Sequence, residues 1–246
     1  MLDDKIAFVT GGAQGIGKHA CLTLAKAGAK IAVVDINSEN TLSTASELEK
    51  ITDVIPITAD VRNEQQVEAA IQQSSNKFGG LDILINNAGI VPHFRWGLPR
   101  WPNIENMPED FWDNVIRTNL YGTYLTTKHA IPLMKLKQSG HVINLFGGGG
   151  PNPPGALAYM VTKNGIRTFS RYIAEEVRAD NICVVTFSPR YAITTEDASD
   201  EAKRRMPAPD VLEQAFVLVS ELGMEYSGKC VAYEDQTIVL ENPMEG

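Results

Sequence analysis

The sequence predicts an α/β fold in which a doubly wound, mostly parallel sheet of seven strands carries helices on both faces. Short runs rich in β-branched residues alternate with longer segments of helical period. This alternation is typical of parallel strands joined by crossover helices. The length of 246 residues suits one large domain, because a single core stops growing only at roughly 250–300 residues. We therefore expect one domain over residues 1–246.

The predicted strands recur along the chain, and helix-ending and helix-starting residues separate them. The strands cover residues 5–10, 30–35, 54–59, 81–86, 141–146, 182–187 and 229–233. Gly28 suits the end of a helix, Asn63 with Gln66 resembles a capping box, and Pro108 suits a first helical turn. Long helices are expected over residues 109–136 and 157–179.

Acidic residues outnumber basic residues, which bears on the partners of the protein. Asp and Glu number 30 and Lys and Arg 22, for a formal net charge of −8. This sign disfavours binding to nucleic acid or to an anionic membrane. No apolar stretch approaches the roughly 20 residues that span a bilayer, and residues 1–4 do not resemble a targeting peptide. We expect a cytoplasmic protein whose partners are small molecules or copies of itself.

The cysteine pattern gives no sign of a metal centre. Cys21, Cys183 and Cys230 lie in apolar runs and form no Cys-x-x-Cys pair. Buried cysteines of this kind usually pack as small apolar residues. We therefore expect no disulfide and no metal site.

Three connections are expected to be functional loops on the substrate side of the sheet. Residues 90–107 contain His93 and several aromatic residues, and residues 147–157 contain four consecutive glycines and three prolines. Residues 188–209 follow the sixth predicted strand. In open parallel sheets, ligands bind beyond the carboxyl ends of the strands, where such loops emerge.

A glycine-rich turn after the first strand predicts a Rossmann-like dinucleotide site. Gly11, Gly15 and Gly17 lie between that strand and the first helix, where they allow a pyrophosphate to approach the positive end of the helix. Asp35 ends the second strand, and a carboxylate there binds the adenosine ribose and repels a 2′-phosphate, which favours NAD over NADP. The alternatives are an ordinary turn at the glycines and a helix-capping role for Asp35.

The chain resembles the short-chain dehydrogenase/reductase family over nearly its full length. The motifs that carry the resemblance occur in the family's order: Thr-Gly-x-x-x-Gly-x-Gly at residues 10–17, Asp60-Val61, Asn86-Asn87-Ala88-Gly89, Asn119 and Tyr159-x-x-x-Lys163. The resemblance implies a hydride-transferring enzyme with a nicotinamide cofactor. Its implied cofactor-binding residues are Gly11, Gln14, Gly15, Ile16, Gly17, Asp35, Asp60, Val61, Asn87, Ala88, Gly89, Tyr159, Lys163, Pro189 and Thr194.

Three residues match the family's catalytic positions. Tyr159 and Lys163 lie four apart and would share a helix face, so the ammonium would lower the pKa of the phenol and prepare it to exchange a proton with substrate. The resemblance gives Asn119 a role in a proton relay. Tyr124 and Lys128 have the same spacing, but no strand and glycine loop precede them, and we expect them to take no part in catalysis.

Two family positions are not matched. The catalytic serine after the fifth strand is replaced by Phe146 or Gly147, depending on the alignment, and neither carries a hydroxyl. Loss of one preorganised donor typically costs ~10²–10³ in rate. Arg190 stands where the family has glycine beside the nicotinamide, and it would point outward or bind a substrate carboxylate or the cofactor phosphates.

These observations lead to three functional hypotheses. The first is an NAD-dependent oxidoreductase acting on a secondary alcohol or ketone, with an aromatic substrate made possible by residues 94–102. The second is a non-redox NAD-binding protein, either a sensor or an assembly partner, whose chemistry has decayed. The third is a related reaction, dehydration or epimerisation, in which substrate or His93 supplies the missing group. The resemblance also implies a homo-oligomer, a dimer or tetramer.

Overall fold

The computed structural model describes residues 1–91, 101–147, 155–190, 193–194 and 199–241, without the side chain of Ala202. Its strands form one eight-stranded sheet in the order β3-β2-β1-β4-β5-β6-β7-β8. The strands are β1 Ile6–Thr10, β2 Lys30–Asp35, β3 Val54–Thr58, β4 Ile83–Asn86, β5 Gly140–Leu145, β6 Ile182–Ser188, β7 Cys230–Glu234 and β8 Thr237–Leu240. The order reverses between β1 and β4, which is the feature that defines a doubly wound sheet.

The sheet has one strand more than the sequence predicted. Strands β1 to β7 are parallel, and β8 pairs with β7 in the antiparallel direction. Asp235 and Gln236 form the hairpin turn between them, with φ angles of 47° and 61°. Left-handed turns usually contain glycine or asparagine, so this turn gave no sequence signal, and the half-exposed β8 lacks a clear alternating pattern.

The helices confirm most of the expected boundaries. The described helices are α1 Gly15–Lys26, α2 Ser38–Leu48, α3 Glu64–Phe78, α4 Glu109–Ile116, α5 Gly122–Lys137, α6 Leu157–Glu176, α7 Asp200–Arg205 and α8 Ala215–Ser220. Asn63 caps α3 by accepting the Gln66 N–H, and Pro108 precedes α4. The segment predicted as one helix over 109–136 is interrupted by a π-helical turn, Arg117–Tyr121.

Helices cover both faces of the sheet, as the sequence predicted. Alternate residues of β1 point to opposite faces, so Ala7 and Val9 join the core under α1, α2 and α8. Ile6 and Phe8 join the core under α3, α5 and α6. Because both faces of a parallel sheet are buried, its strands are apolar throughout. None of the described helices is both long and apolar enough to cross a membrane.

The cysteines lie in this core. Cys21, Cys183 and Cys230 are buried and form no disulfide. Within the described residues, no group of three or more His, Cys, Asp and Glu side chains is arranged to hold a metal ion.

The strand register brings the predicted site residues to one edge of the sheet. Thr10 pairs with Asn86, Asn86 with Asn144, and Asn144 with Thr186. The carboxyl ends of the four central strands β1, β4, β5 and β6 therefore lie side by side, and the segments that follow them converge above this edge.

Candidate active site

The glycine-rich turn after β1 is closely packed. Gly11 and Gly15 have φ angles of 62° and 53°, in the left-handed region that glycine adopts readily. A Cβ on Gly17 would lie 2.0 Å from the Gly11 carbonyl oxygen, and a Cβ on Gly11 would lie 2.9 Å from the Ala88 Cα. The turn therefore requires glycine at positions 11 and 17, and it brings the start of α1 against the end of β4.

The amino end of α1 differs from those of the next two helices. Asn37 and Asn63 each cap their helix with a side-chain oxygen, whereas Gln14 makes no capping hydrogen bond to α1 and accepts a bond from Asn40 Nδ2 at 3.3 Å. The first turn of α1 contains Ile16 and no acidic residue. A helix end of this kind attracts an anion through its dipole and its amide hydrogens. The turn thus fits the pyrophosphate of a dinucleotide.

Asp35 lies beside this turn at the end of β2. One carboxylate oxygen accepts the Ala13 N–H at 3.3 Å, and the other accepts the Asn37 N–H at 3.1 Å. Asn37, not Asp35, caps α2. Lys18, the nearby basic residue of α1, is bound to Glu47 at 2.8 Å. The carboxylate is therefore held at the edge of the turn, and the capping alternative for Asp35 is wrong.

Asp60 and Val61 follow β3. Arg62 donates to both carboxylate oxygens of Asp60 at 2.7–3.0 Å and to Asn114 at 2.5 Å. The guanidinium holds the pKa of Asp60 below its usual value. Val61 contacts the start of α5, where a Cβ on Gly122 would lie 2.8 Å from Val61 Cγ2. These bonds fix the loop after β3, and the adenine-facing role of the pair remains a prediction.

The segment after β4 is tied to β1 through Thr10. The Thr10 hydroxyl accepts the N–H groups of Asn87 and Ala88, both at 3.1 Å. Asn87 Nδ2 donates to the Gly11 carbonyl at 3.0 Å. A Cβ on Gly89 would lie 3.3 Å from Asn119 Oδ1. The segment therefore links the glycine turn to the π-helical turn that holds Asn119.

Asn119 is buried in the π-helical turn and bound on both sides of its amide. Its Oδ1 accepts the Ile90 N–H at 2.7 Å, and its Nδ2 donates to the Ile90 carbonyl at 3.0 Å and to Thr162 Oγ1 at 3.2 Å. Thr162 in turn donates to the Tyr159 carbonyl at 2.7 Å. Thr162 therefore connects Asn119 to the helix of Tyr159. The sequence analysis missed this threonine, because a threonine inside a helix carries no distinguishing signal.

Tyr159 and Lys163 lie on the first turns of α6, above the end of β5. The Lys163 Nζ lies 5.5 Å from the centre of the Tyr159 ring and donates to the Leu145 carbonyl at 2.7 Å. Lys163 is 5% exposed, and Tyr159 is half-buried. The ammonium is thus held beside the phenol by the last residue of β5.

Burial changes the acidity of both groups. It raises the pKa of the Tyr159 phenol and lowers the pKa of Lys163 to about 8, because a buried site disfavours a charged side chain. The expected lowering of the Tyr159 pKa is therefore wrong for the arrangement that the structure describes. The Lys163 ammonium is directed to a carbonyl and not to the phenol oxygen, so desolvation outweighs its attraction.

Gly147, not Phe146, faces the Tyr159 hydroxyl. A Cβ on Gly147 would lie 2.6 Å from that oxygen. Phe146 is 7% exposed, and its N–H donates to the Phe187 carbonyl at 2.7 Å. The position opposite the phenol thus has no side chain, and the Tyr159 hydroxyl packs against the backbone of Gly147.

The segment after β6 contains Arg190, Pro189 and Thr194, three residues that the resemblance places near the cofactor. Arg190 has a φ of 58°, which is the conformation that favours glycine. Its guanidinium binds Glu234 at 2.7 Å, at the carboxyl end of β7. The side chain is therefore held beside β7, and its outward direction or its binding of an anion stays a prediction. Pro189 is buried, and Thr194 Oγ1 donates to the Pro207 carbonyl at 3.1 Å. The cofactor-binding roles of Pro189 and Thr194 remain predictions.

Tyr124 and Lys128 lie outside this site. Lys128 pairs with Glu64 of α3, and Tyr124 is 39% exposed and stacks near Tyr121 with ring centres 5.6 Å apart. His93 and much of the predicted substrate loops lie outside the described residues, since residues 92–100, 148–154, 191–192 and 195–198 are not among them.

The sequence of this chain is similar to the sequences of known short-chain dehydrogenases and reductases. A family model described as short chain dehydrogenase matches residues 5–205. The chain is 35% identical over 207 residues to the 3-oxoacyl-[acyl-carrier-protein] reductase FabG of Staphylococcus aureus, covering 82% of this chain and 81% of that protein.

Solved structures give the same result. A short-chain type dehydrogenase/reductase from Mycobacterium marinum superposes with a TM-score of 0.82 at 27% identity, covering 95% of each chain. A 3-ketoacyl-(acyl-carrier-protein) reductase from Brucella melitensis, complexed with NADH, superposes with a TM-score of 0.81 at 26% identity, covering 94% of this chain and 97% of that chain.

Proposed function

The chain belongs to the short-chain dehydrogenase/reductase family of oxidoreductases, and we propose that it transfers a hydride between NAD and a secondary alcohol or ketone. The observation that carries this proposal is the position of the Tyr159 hydroxyl opposite Gly147, with Lys163 beside the ring. One similar protein is named for a 3-oxoacyl group and another for a 3-ketoacyl group; both names describe a ketone, which favours this substrate class.

The chain's own residues supply binding and proton transfer. Bound NAD would supply the hydride acceptor. The glycine turn and the amino end of α1 bind the pyrophosphate, and Asn87, Ala88 and Gly89 line the central stretch of the cofactor. Tyr159 takes the proton of the substrate hydroxyl in oxidation and returns it in reduction. Asn119 and Thr162 hold the helix of Tyr159 in register with the loop after β4.

The lysine favours the reactive form of the tyrosine when the cofactor is in place. In the described arrangement the Lys163 amine is bound to the Leu145 carbonyl. Cofactor hydroxyl groups at this edge would compete for that amine and raise the polarity around it, which favours the charged ammonium. A charged lysine beside the phenol lowers the pKa of Tyr159 by attraction.

Asp35 is the basis for choosing NAD over NADP. Its carboxylate lies beside the glycine turn and is held by two backbone N–H groups, and Lys18 is engaged with Glu47. A 2′-phosphate would meet a negative charge with no free lysine of α1 to offset it. The expected result is an NADP affinity well below the affinity for NAD.

The active site works without the serine of the family. Gly147 stands opposite the phenol, so among the described residues Tyr159 is the side chain that donates the hydrogen bond to the reacting oxygen of the substrate. We expect a slow reaction compared with relatives that have the serine, since one missing donor typically costs ~10²–10³ in rate.

A second candidate is a protein that binds NAD without redox chemistry. The raised pKa of Tyr159 and the missing hydroxyl at Gly147 favour it.

The domain and the oligomer are proposed as follows. Under the first candidate, residues 1–246 act as one dinucleotide-binding and catalytic domain. Under either candidate, exposed apolar residues on α5 and α6 provide a surface for a homo-oligomer, among them Leu136, Val161 and Tyr172.

A single-turnover experiment distinguishes the two candidates. The protein is mixed with NAD and a panel of secondary and aromatic alcohols, and NADH is followed by its absorbance, in wild type, Tyr159→Phe and Tyr124→Phe. Hydride transfer that is lost only in Tyr159→Phe supports the enzyme. Tight NAD binding with no Tyr159-dependent NADH formation from any alcohol, and no NADH consumption with any ketone, supports the non-redox protein.

A further inference from the structure

The turn after β6 holds an arginine in a conformation that favours glycine. Arg190 has a φ of 58°, in the left-handed region where a Cβ crowds the following carbonyl oxygen. Asparagine and aspartate are tolerated there because their short side chains bond to the local backbone, and an arginine side chain is too long for that. An arginine in this conformation therefore needs support from elsewhere in the fold.

Arg190 differs in its position from the other described left-handed residues that are not glycine. Two of them form the β7–β8 turn, and three lie shortly before the amino ends of β1, β5 and β6: Asp4, Gln138 and Asn181. Arg190 instead follows the carboxyl end of a central strand, which is the edge where open parallel sheets bind their ligands. Unfavourable backbone conformations of this kind cluster at functional sites, where the surrounding structure holds them.

Glu234 supplies the support that Arg190 needs. Ser188 of β6 pairs with Ala232 of β7, and Arg190 and Glu234 each lie two residues beyond this pair. The Arg190 guanidinium donates to Glu234 Oε2 at 2.7 Å, and the Arg190 N–H donates to the Ser188 hydroxyl at 3.2 Å. The two side chains are 33% and 42% exposed. Because an ion pair this exposed contributes at most modestly to the stability of the whole fold, its main effect is to hold the turn.

This turn lies beside the candidate active site. The Phe146 N–H donates to the Phe187 carbonyl at 2.7 Å, which continues the pairing of β5 and β6 to the ends of both strands. Gly147, the next residue after Phe146, faces the Tyr159 hydroxyl. Pro189, which is buried, lies two residues after Phe187. A nicotinamide that exchanges a hydride with a substrate bound at Tyr159 therefore lies near the segment between β6 and Arg190.

We propose that Arg190 is a positioning residue for the nicotinamide half of the cofactor, held in place by its ion pair with Glu234. The ion pair stabilises the left-handed turn, and the turn keeps Pro189 at the wall of the nicotinamide site. The pair thus does for this arginine what conformational freedom does for a glycine. The inference rests on the proposed function, because it takes the group beside Tyr159 to be a nicotinamide. It predicts a contribution to binding of the nicotinamide half and none to binding of the adenosine diphosphate half.

The test compares the binding of NADH with that of ADP-ribose, which lacks the nicotinamide. Calorimetric titration of the full chain at constant ionic strength gives both dissociation constants, and their ratio isolates the nicotinamide half. The proteins compared are wild type, Glu234→Ala, Arg190→Gly, the two substitutions combined, and Glu175→Ala. Glu175→Ala is the matched control, because it breaks an exposed ion pair with Arg178, also at 2.7 Å, that precedes the amino end of β6.

We expect Glu234→Ala to weaken NADH binding about fivefold relative to ADP-ribose, which corresponds to about 1 kcal/mol. Arg190→Gly should keep the ratio within about twofold of wild type, because glycine adopts the left-handed conformation without an ion pair. For the same reason, adding Arg190→Gly to Glu234→Ala should restore the wild-type ratio. Glu175→Ala should leave the ratio unchanged.

Thermal unfolding gives a second measurement that needs no cofactor. Glu234→Ala should lower the unfolding midpoint of wild type by about 2–4 °C, since the arginine loses the contact that holds its conformation. The same substitution should not lower the midpoint of Arg190→Gly, in which no side chain opposes the turn.

Three binding results would overturn the proposal. The first is an unchanged ratio in Glu234→Ala, which leaves the ion pair a surface contact. The second is the same change of ratio in Glu175→Ala. The third is a loss in Arg190→Gly as large as in Glu234→Ala, with no recovery in the combined variant, which shows that the arginine itself binds the cofactor. If neither ligand binds wild type, the proposed function fails. Equal falls of the midpoint on adding Glu234→Ala to wild type and to Arg190→Gly would then overturn the support of the turn as well.

Discussion

Two tyrosine–lysine pairs with identical spacing lie in different surroundings in this protein. Tyr159 and Lys163 stand above the end of β5, where Lys163 is 5% exposed and bound to the Leu145 carbonyl. Tyr124 is 39% exposed, and Lys128 forms an ion pair with Glu64 at the surface. The spacing is a property of any helix, whereas the chemistry depends on burial and on the strand end that lies below the pair.

The largest expected effect separates the two tyrosines. Tyr159→Phe removes the proton donor and acceptor and should lower single-turnover hydride transfer by about 10²–10⁴-fold, the usual contribution of a positioned acid or base. Tyr124→Phe should change the rate by less than about twofold. Stopped-flow measurement of NADH absorbance checks both variants. An equal loss in the two variants contradicts the assignment of the site.

The two lysines should differ in how they affect stability with pH. Burial lowers the pKa of Lys163 to about 8, so between about pH 8 and the ordinary lysine value near 10.4 the unfolded chain binds more protons than the folded chain. The free energy of unfolding therefore rises with pH in this window, by up to about 3 kcal/mol from this group.

Urea unfolding at pH 8 and pH 10.5 measures this effect. Relative to Lys163→Met, wild type should gain stability as the pH rises. Lys128→Met is the control: Glu64 raises the pKa of Lys128, so wild type should show no such gain over this variant. The same pH dependence in both comparisons would rule out the buried amine as its source.

Substitutions at position 147 test the contact between this residue and the Tyr159 hydroxyl. Gly147→Ser restores the hydroxyl of the family, but its Cβ would lie 2.6 Å from the Tyr159 oxygen, which forces the phenol to move. We expect hydride transfer to fall by about tenfold or more. Gly147→Ala carries the same Cβ and should lose a similar factor. A gain of activity in Gly147→Ser alone would show that the phenol adapts and that the donor was missing.

The smallest effect is expected at the surface pair. Glu64→Gln removes the carboxylate that Lys128 and His129 share. Exposed ion pairs contribute little to stability because water and salt screen them. The thermal unfolding midpoint should fall by at most a few degrees, and hydride transfer should not change. A large loss of activity would mean that the surface pair acts on the site after all.

Local sequence signals predicted most of the fold. The seven parallel strands appear as apolar runs because both faces of the sheet are buried, and Asn63 caps α3 as its sequence indicates. The sequence did not predict β8, whose turn has Asp235 and Gln236 in left-handed conformations. Nor did it predict the π-helical turn at Asn119, because such turns are rare and no residue type marks them.

The candidate site was predicted in its residue types but not in its contacts. The choice between Phe146 and Gly147 could not be made from spacing, since the length of the following loop differs from the family's usual interval. The position of the Arg190 side chain depends on Glu234, which is 44 residues away. Such contacts join segments that only the assembled sheet brings together.

The sequence by itself determined which elements form and in which order, because β-branched runs, capping residues and glycine turns act on their immediate neighbours. Tertiary structure alone decided which of two equally spaced tyrosine–lysine pairs is buried, which position faces the Tyr159 hydroxyl, and which carboxylate binds Arg190. The physical reason is distance along the chain: burial, desolvation and charge pairing arise between segments that are far apart in sequence and adjacent only when the strands have paired.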